Sequence, residues 1–137
     1  MPVAVSCLGH RGRRLNPDAV GNRLSEARPS AATTNYTYDN MDRLLSAGAT
    51  SYTWDRNGNQ LSAGTRTFSY DLANRLKTTT AAGTTSTYTY DGDGNRLQTS
   101  TGTAASAKTN FLWDINNPLA TLAIEQDGNN TLLRRYI

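Results

Sequence analysis

The chain has 137 residues, which is about the size of one small domain. Thr, Ser and Asn together supply 43 of these residues, whereas Lys and Glu, which fill exposed helix surfaces, occur twice each. This composition indicates β-structure rather than a helical protein. No run of the sequence approaches the roughly 18 apolar residues that a membrane-spanning helix needs.

The charged residues are unevenly distributed along the chain. Residues 1–38 carry a net charge of +3, and residues 39–137 contain nine basic and nine acidic residues. A nucleic-acid-binding protein needs basic residues along its folded face. The neutral body of this chain therefore argues against a nucleic-acid partner.

Residues 1–17 resemble no other part of the chain. The apolar stretch at residues 2–9 has no positively charged residue ahead of it beyond the chain terminus, so no export signal is predicted. We expect residues 1–17 to form a basic, disordered leader ahead of a repeat array at residues 18–137.

Catalytic and metal-binding residue types are scarce. Cys7 is the only cysteine, which excludes an internal disulfide, and no cluster of Cys and His is present to hold zinc. The single histidine, His10, lies three residues from Cys7, but a catalytic dyad there would lack a third, orienting group. We predict no catalytic residue, no cofactor and no metal ion, and we do not expect an enzyme.

An aromatic–x–aromatic–Asp signature recurs five times, each time followed by a polar segment that ends in Leu. The signature residues are Tyr36, Tyr38 and Asp39, then Tyr52, Trp54 and Asp55, then Phe68, Tyr70 and Asp71, then Tyr88, Tyr90 and Asp91, and finally Phe111, Trp113 and Asp114. The residues that follow are Arg43 and Leu44, then Gly58, Asn59 and Leu61, then Arg75 and Leu76, then Gly94, Asn95, Arg96 and Leu97, and finally Asn117, Pro118 and Leu119. An incomplete copy without the aromatic pair begins at Asp18. Such internal self-similarity is typical of a repeat architecture.

Each copy has the pattern of a β-hairpin. Aromatic residues at positions i and i+2 lie on one face of a strand. Asp favours the first position of a type I turn, where its carboxylate accepts hydrogen bonds from turn N–H groups, and Gly favours the fourth position. The Leu that follows then opens the return strand. The segments between copies, residues 78–87 and 99–109, are predicted to form exposed strand extensions and wide loops.

The distance from Asp to Leu alternates between six and five residues along the chain. This alternation predicts long and short turns, with a β-bulge in one form to keep the return strands in register. In the short form Asp42, Asn74 and Asn117 stand where Gly stands in the long form. These residue types tolerate a positive φ better than most, so we expect them to adopt it.

The complete unit at residues 88–97, Tyr-x-Tyr-Asp-x-x-Gly-Asn-Arg-Leu, resembles the YD repeat of Rhs proteins. That family includes bacterial wall-associated proteins, the C component of insecticidal toxin complexes and animal teneurins, and its repeats wind as a long β-sheet strip into a hollow shell. The resemblance covers about residues 18–137. It implies an all-β fold of tandem antiparallel hairpins in an open curved or spiralling sheet, as part of a larger β-shell. About six hairpins are expected here, in an array that is incomplete at both ends.

The resemblance also implies a function. In bacterial members the shell encloses a C-terminal toxin and has no catalytic role of its own, and this chain contains neither a toxin domain nor the family's autoproteolytic motif. The implied function is a non-catalytic shell segment of a secreted or cell-envelope protein, with the remaining repeats or a toxin domain as partners. The alternative is a cell-surface module that binds carbohydrate or another partner. An isolated chain is expected to self-associate through its open sheet edges.

Three binding hypotheses are weaker than their structural alternatives. Residues 91–95 resemble the start of an EF-hand calcium loop, but its sixth and twelfth positions are Arg96 and Gly102 instead of Gly and Glu. The aromatic residues could stack on glycans, although cross-strand packing, worth about 0.2–1 kcal/mol per pair, is the simpler use. The repeated arginines are predicted to pair with Asp or to stack on aromatic rings across neighbouring hairpins, rather than to bind phosphate. They are Arg23, Arg43, Arg75 and Arg96.

Overall fold

A computed structural model describes residues 7–9, 12–116 and 118–136. Within these residues the chain contains fourteen β-strands and one three-residue 3-10 helix. The strands are short because Asp, Gly and Asn interrupt each stretch of Thr and aromatic residues after a few positions.

The chain forms two compact units, and the first comprises the residues up to Trp54 together with Ser62–Gly64. Its strands are β1 (Cys7–Gly9), β2 (Arg13–Pro17), β3 (Arg23–Ala27), β4 (Thr34–Tyr38), β5 (Leu44–Ala47) and β6 (Thr50–Trp54). Each of the first five strands pairs antiparallel with the next strand along the chain.

The second unit comprises Asp55–Leu61 and the residues from Thr65 onwards, so β7 (Gln60–Ala63) is divided between the two units. Its other strands are β8 (Arg66–Tyr70), β9 (Leu76–Ala81), β10 (Thr84–Tyr90), β11 (Arg96–Ser100), β12 (Lys108–Asp114), β13 (Thr121–Asp127) and β14 (Leu132–Arg135). The 3-10 helix (Ala105–Ala107) precedes β12. From β8 to β14 each strand again pairs antiparallel with the next. The predicted all-β fold of tandem antiparallel hairpins in an open sheet is therefore confirmed.

The strands alternate in exposure as the aromatic pattern requires. In β4 and β6 the burial pattern has a period of two, with the aromatic residues half-buried and the Thr between them exposed. None of the described hydrophobic residues is fully buried, and Glu26, at 3% exposure, is the one buried polar side chain. The aromatic face is thus only partly covered by neighbouring strands.

The prediction that residues 1–17 are disordered is wrong for residues 13–17. Arg13–Pro17 form β2, which pairs with β3 in a register that places Arg14 opposite Ala27. Backbone pairing also joins Cys7–Gly9 to β2. Local composition did not predict these strands, because β2 pairs with β3, which lies beyond the first turn. Residues 1–6 and the proposed dyad partner His10 lie outside the described residues.

Residues 78–87 form strand extensions of β9 and β10, as predicted, but a tight turn rather than a wide loop joins them. Ala81 pairs with Thr84, so Ala82 and Gly83 alone form the turn between β9 and β10. Both have positive φ, 49° for Ala82 and 78° for Gly83, as a type I′ turn requires. Asn-Gly is the favoured pair in such turns, and Ala is strained at the first position.

Replacing Ala82 with Asn is expected to stabilise the chain by about 0.5–1 kcal/mol, because Asn tolerates the left-handed conformation better than Ala. Urea unfolding followed by circular dichroism measures the change. Ala73→Asn is the matched control, since Ala73 is also exposed in a turn but has no positive φ. Equal effects of the two substitutions would contradict strain at Ala82.

Candidate functional site: the repeated aspartate turn and the bonds between hairpins

In five copies of the repeat the Asp organises a five-residue turn. In the turn at residues 91–95, Asp91 Oδ1 accepts hydrogen bonds from the backbone N of Asp93 (3.0 Å) and of Asn95 (2.8 Å). Asp91 Oδ2 accepts a third from Asn95 Nδ2 (2.9 Å). The same three kinds of bond, to the backbone of residues i+2 and i+4 and to the side chain of i+4, are made by Asp18, Asp39, Asp55 and Asp71.

These hydrogen bonds hold the carboxylates in the ionised form. Donation from the residue four positions on is the largest cause that lowers the pKa of each carboxyl. It acts first through the side chain at Asp55 and Asp91 and first through the backbone at Asp39 and Asp71. Because the Asp91 carboxylate is already occupied by N–H donors, the turn accounts for residues 91–95 without a calcium ion. Among the described residues no group of three or more His, Cys, Asp and Glu is arranged to hold a metal ion.

The predicted alternation of turn lengths is wrong. In all five turns the Asp backbone N donates to the carbonyl of residue i+4, at 2.8–3.0 Å. A register shift lies directly before the Asp in both forms, for example at Thr37/Tyr38 and at Thr89/Tyr90. The positive φ expected where Gly is replaced is confirmed for Asp42 and Asn74, both at 59°. Asn117 lies outside the described residues.

Because the turns are equal in length, the residues of the return strand lie on opposite faces of the sheet in the two forms of the repeat. Leu44 pairs with the second aromatic residue Tyr38, whereas Arg96 pairs with Tyr90. Leu44 and Leu76 are accordingly half-buried, whereas Leu61 and Leu97 are exposed by 39% and 43%. The alternating Asp-to-Leu spacing therefore indicates on which face of the sheet the Leu and Arg side chains lie.

The second aromatic residue of a repeat binds the preceding hairpin. Its polar hydrogen is donated to the carbonyl of the residue five positions after the preceding Asp. These bonds run from Tyr38 Oη to Arg23 O (3.1 Å), from Trp54 Nε1 to Leu44 O (2.8 Å), from Tyr90 Oη to Leu76 O (2.9 Å) and from Trp113 Nε1 to Arg96 O (2.9 Å). All ten aromatic residues of the signature are half-buried. Packing against the previous hairpin is thus an observed use of these rings.

The first aromatic residue meets the residue eight positions after the preceding Asp. Tyr36 Oη donates to Glu26 Oε2 at 3.1 Å, and Tyr88 Oη lies 3.2 Å from Thr79 Oγ1. The strand register gives Phe111 the same diagonal relation to Thr99, because Thr99 is opposite Thr109 as Thr79 is opposite Ser86. Phe111 has no hydroxyl, and Thr99 Oγ1 is buried with no hydrogen-bond partner among the described residues.

Phe111→Tyr is expected to stabilise the chain by about 0.5–1.5 kcal/mol, since the new hydroxyl can bond Thr99 Oγ1. The measurement is a double-mutant cycle in urea, with Thr99→Val as the second substitution. The gain should disappear in the Thr99→Val background. A gain that persists without the Thr99 hydroxyl would show that the pairing is wrong.

Glu26 lies at the centre of a charged cluster that sequence analysis did not identify. Its carboxylate accepts hydrogen bonds from Arg13 Nη2 and Arg23 Nη1, each at 3.1 Å, and from Arg28 Nε and Tyr36 Oη. Arg13 Nε also lies 2.8 Å from Oε1, close enough for an ion pair but not aligned for a hydrogen bond. The hydrogen bond from Arg28, followed by those from Arg13 and Tyr36, lowers the pKa of Glu26 to about 2. The excess of Arg in residues 1–38 was the one available signal.

The repeated arginines pair with Asp and stack on rings as predicted, but only Arg23 and Arg75 do so across neighbouring hairpins. Arg43 Nε and Arg75 Nε each donate to the Oδ2 of their own turn Asp at 2.7 Å. The Arg23 and Arg96 guanidinium carbons lie 5.4 and 5.1 Å from the ring centroids of Tyr36 and Tyr88. Arg75 also reaches the next hairpin, as described below.

Adjacent turns are joined by polar side chains. Asn22 Nδ2 donates to Asp42 Oδ1 at 2.7 Å, and Asn59 Nδ2 donates to Asn74 Oδ1 at 2.8 Å. In both cases residue i+4 of one turn bonds residue i+3 of the next. The turn Asn and Asp residues therefore hold neighbouring hairpins in line as well as closing their own turns.

Two turns depart from the common pattern. Among the described residues only Asn116 donates to Asp114 Oδ1, and position i+4 is Pro118, which has no N–H to donate. Asp127 starts a further turn that the sequence analysis missed, with bonds from Asn129 N and Thr131 N. The available signal was an Asp with an αL-tolerant Asn130 three positions later, but the aromatic pair that marks the other copies is absent there.

The described residues thus define a repeat protein of antiparallel hairpins in which the signature residues serve structure. The Teneurin YD-shell family model matches residues 5–121 of the chain. The chain therefore belongs to this family, and the predicted membership of the Rhs/YD-repeat group is confirmed. None of the curated proteins compared with the chain matches it.

The family assignment supports a structural role. YD-shell domains are structural shells of extracellular and cell-envelope proteins rather than a known catalytic family. In the part of the chain that the structure describes, no helix has the length and apolarity needed to cross a membrane.

Proposed function

We propose that the chain is a wall segment of a β-shell that encloses and delivers a C-terminal toxin domain of a secreted or cell-envelope polymorphic toxin. The observation that carries the proposal is the repeated bond between hairpins. In four of the five copies the second aromatic residue holds the preceding return strand in the same way, so further hairpins extend the array without new chemistry.

The partly covered aromatic face supports the same function. No hydrophobic residue among those described is fully buried. The aromatic face of the hairpins is therefore available to pack against other polypeptide. The remaining repeats of the shell, or the toxin that it encloses, are the expected partners of that face.

The test is to sequence the DNA on both sides of the coding region and to map its transcript. Continuing YD repeats, followed by a variable C-terminal domain in the same frame, are the expected result. A dedicated promoter, no flanking repeats and a stop codon directly after Ile137 would overturn the proposal and leave a free-standing binding module as the better explanation.

The second candidate function is a cell-surface module that binds glycans. Its physical basis is the aromatic content of the repeats, since ring faces pair with the apolar faces of sugars. Titration of the chain with a panel of glycans, followed through the fluorescence of Trp54 and Trp113, tests it. A saturable change with one glycan class supports this function, and an unchanged spectrum across the panel removes it.

We expect the isolated 137-residue chain to self-associate. Within the described residues β14 pairs only with β13, so one of its edges carries backbone groups with no strand partner. Its first two residues, Leu132 and Leu133, are exposed by 57% and 55%. Size-exclusion chromatography with light scattering should show oligomers that grow with concentration. A monodisperse monomer at all concentrations would contradict this prediction.

A further inference from the structure

A groove of about 370 Å³ lies in the second unit, where the turn at residues 91–95 faces β12. Its lining includes Tyr90, Gly94, Asn95, Arg96, Phe111 and Trp113. Three of these residues are aromatic. The repeat signature alone does not explain why their rings are separated by a groove.

The same place in the preceding repeat is filled by an arginine. Tyr90 donates to Leu76 O as Trp113 donates to Arg96 O, so the two rings have equivalent positions on successive hairpins. Over Tyr90 the guanidinium carbon of Arg75 lies 5.0 Å from the ring centroid. Arg75 Nη1 also donates to Asp91 O at 2.8 Å. This arginine bridges its own turn and the next hairpin.

In the repeat that forms the groove, the residue equivalent to Arg75 is Asn95. Its short side chain bonds Asp91 Oδ2 at 2.9 Å and therefore ends within its own turn. Gly94 adds no side chain. The groove is thus the volume that an arginine occupies one repeat earlier.

The first hairpin repeats this relation. A second groove, of about 190 Å³, is lined by Leu15, Pro17, Gly21 and Arg23, and the last three are the counterparts of Tyr90, Gly94 and Arg96. Residue i+4 of that turn is Asn22. Both grooves therefore accompany a Gly-Asn turn, in which no arginine is available at position i+4.

Asp114, the residue after Trp113, has a carboxylate oxygen that can accept a further hydrogen bond. Asp114 Oδ1 receives two bonds from Asn116, but Oδ2 receives none from the described residues because position i+4 is Pro118. Arg96 also lines the groove, but its guanidinium stacks on another ring: its carbon Cζ lies 5.1 Å from the Tyr88 ring centroid. An aromatic face and an adjacent carboxylate are the two groups that recognise a guanidinium.

We propose that this groove binds an arginine side chain of a partner polypeptide, stacked on Trp113 and donating to the Asp114 backbone carbonyl as Arg75 donates to Asp91 O, with the nearby Asp114 carboxylate balancing its charge. The internal contact of Arg75 with Tyr90 shows the geometry that the partner's guanidinium would adopt. The inference is independent of whether the chain encloses a toxin.

The test uses the full chain with Trp54→Phe, which leaves Trp113 as the only tryptophan. Arginine amide is titrated at constant ionic strength, with lysine amide and glycine amide as controls. A saturable change in Trp113 emission with an apparent Kd in about the millimolar range is expected for arginine amide, and a weaker change for lysine amide. Glycine amide should give none.

Asn95→Arg is the matched variant, because the introduced arginine should occupy the groove as Arg75 occupies the equivalent place. It should abolish the response while circular dichroism shows a folded chain. Asp114→Asn, which keeps the shape of the side chain, should raise the apparent Kd at least about threefold. The second variant keeps the proposal testable if the first does not fold.

Three outcomes would overturn the proposal. The first is no response to arginine amide, and the second is an equal response in the Asn95→Arg or the Asp114→Asn variant. The third is a saturable response to N-acetylglucosamine with none to arginine amide, which would assign the groove to a glycan instead.

Discussion

Gly128→Ala is expected to destabilise the second unit by about 1–3 kcal/mol, the usual cost of forcing an extra methyl group into a packed site. A Cβ at residue 128 would lie 2.7 Å from both the Cα and the O of Ala105, and these are backbone atoms that cannot rotate away. The substitution would also strain the hydrogen bond from Gly128 N to Ala105 O, now 3.0 Å. The 3-10 helix (Ala105–Ala107) should therefore separate from the turn after β13.

Urea unfolding measures the loss of stability, and hydrogen exchange of the residue 128 amide measures the loss of the local bond. Gly92→Ala is the matched control, because Gly92 has no positive φ and a Cβ there meets nothing within 4 Å. It should change stability by less than about 0.5 kcal/mol. Equal effects at the two glycines would show that the close approach to Ala105 is not structurally important.

Glu26→Gln should cause the largest loss of stability of any single charge-removing substitution, with a fall in Tm of more than about 5 °C. The substitution keeps the shape of the side chain but leaves Arg13, Arg23 and Arg28 without the carboxylate that neutralises them. Glu125→Gln is the control, because the other glutamate of the chain is half-buried and accepts one hydrogen bond from the described residues, that of Tyr136 Oη. Thermal unfolding of both variants measures the difference.

Removing an arginine should partly rescue the Glu26→Gln variant. Arg28 is 65% exposed and bonds the carboxylate directly, so Glu26→Gln with Arg28→Gln should lose less stability than the sum of the single losses. Strictly additive losses would show that the cluster does not act as a unit.

The contribution of Glu26 should also depend on pH in a defined window. Its pKa falls from 4.5 to about 2 on folding, so the folded state binds the proton more weakly than the unfolded state. The stabilisation is therefore fully present above about pH 4.5 and is lost as the pH falls towards 2. The Tm difference between the native chain and Glu26→Gln should be constant near neutral pH and should shrink across this window. A difference that is unchanged down to pH 2 would contradict the lowered pKa.

The repeat itself could be predicted because its contacts are local. Asp91 bonds residues two and four positions away, and the aromatic pair follows the two-residue period of a strand. Such contacts depend only on residue types within one short segment. The family resemblance followed from the same residues, and the role of Asp42 and Asn74 at positive φ did too.

The errors of the sequence analysis arose where the outcome depends on strand pairing. Two turn lengths were inferred from the Asp-to-Leu spacing, although the backbone closes the five turns from Asp18 to Asp91 in the same way and the side chains change faces instead. β2 was taken as disordered because the pattern around it lacks an aromatic pair. Its order depends on pairing with β3, which the local sequence does not reveal.

The sequence alone therefore determined the hairpins, their Asp-centred turns and the family to which they belong. Only the tertiary structure decided which side chains meet across neighbouring strands: the three arginines around Glu26, the unpaired Thr99 hydroxyl beside Phe111, and the groove over Trp113. The physical reason is strand register. A shift of one residue before each Asp sets which side chains lie opposite each other across strands, and that shift results from the backbone geometry of the whole turn rather than from any single residue.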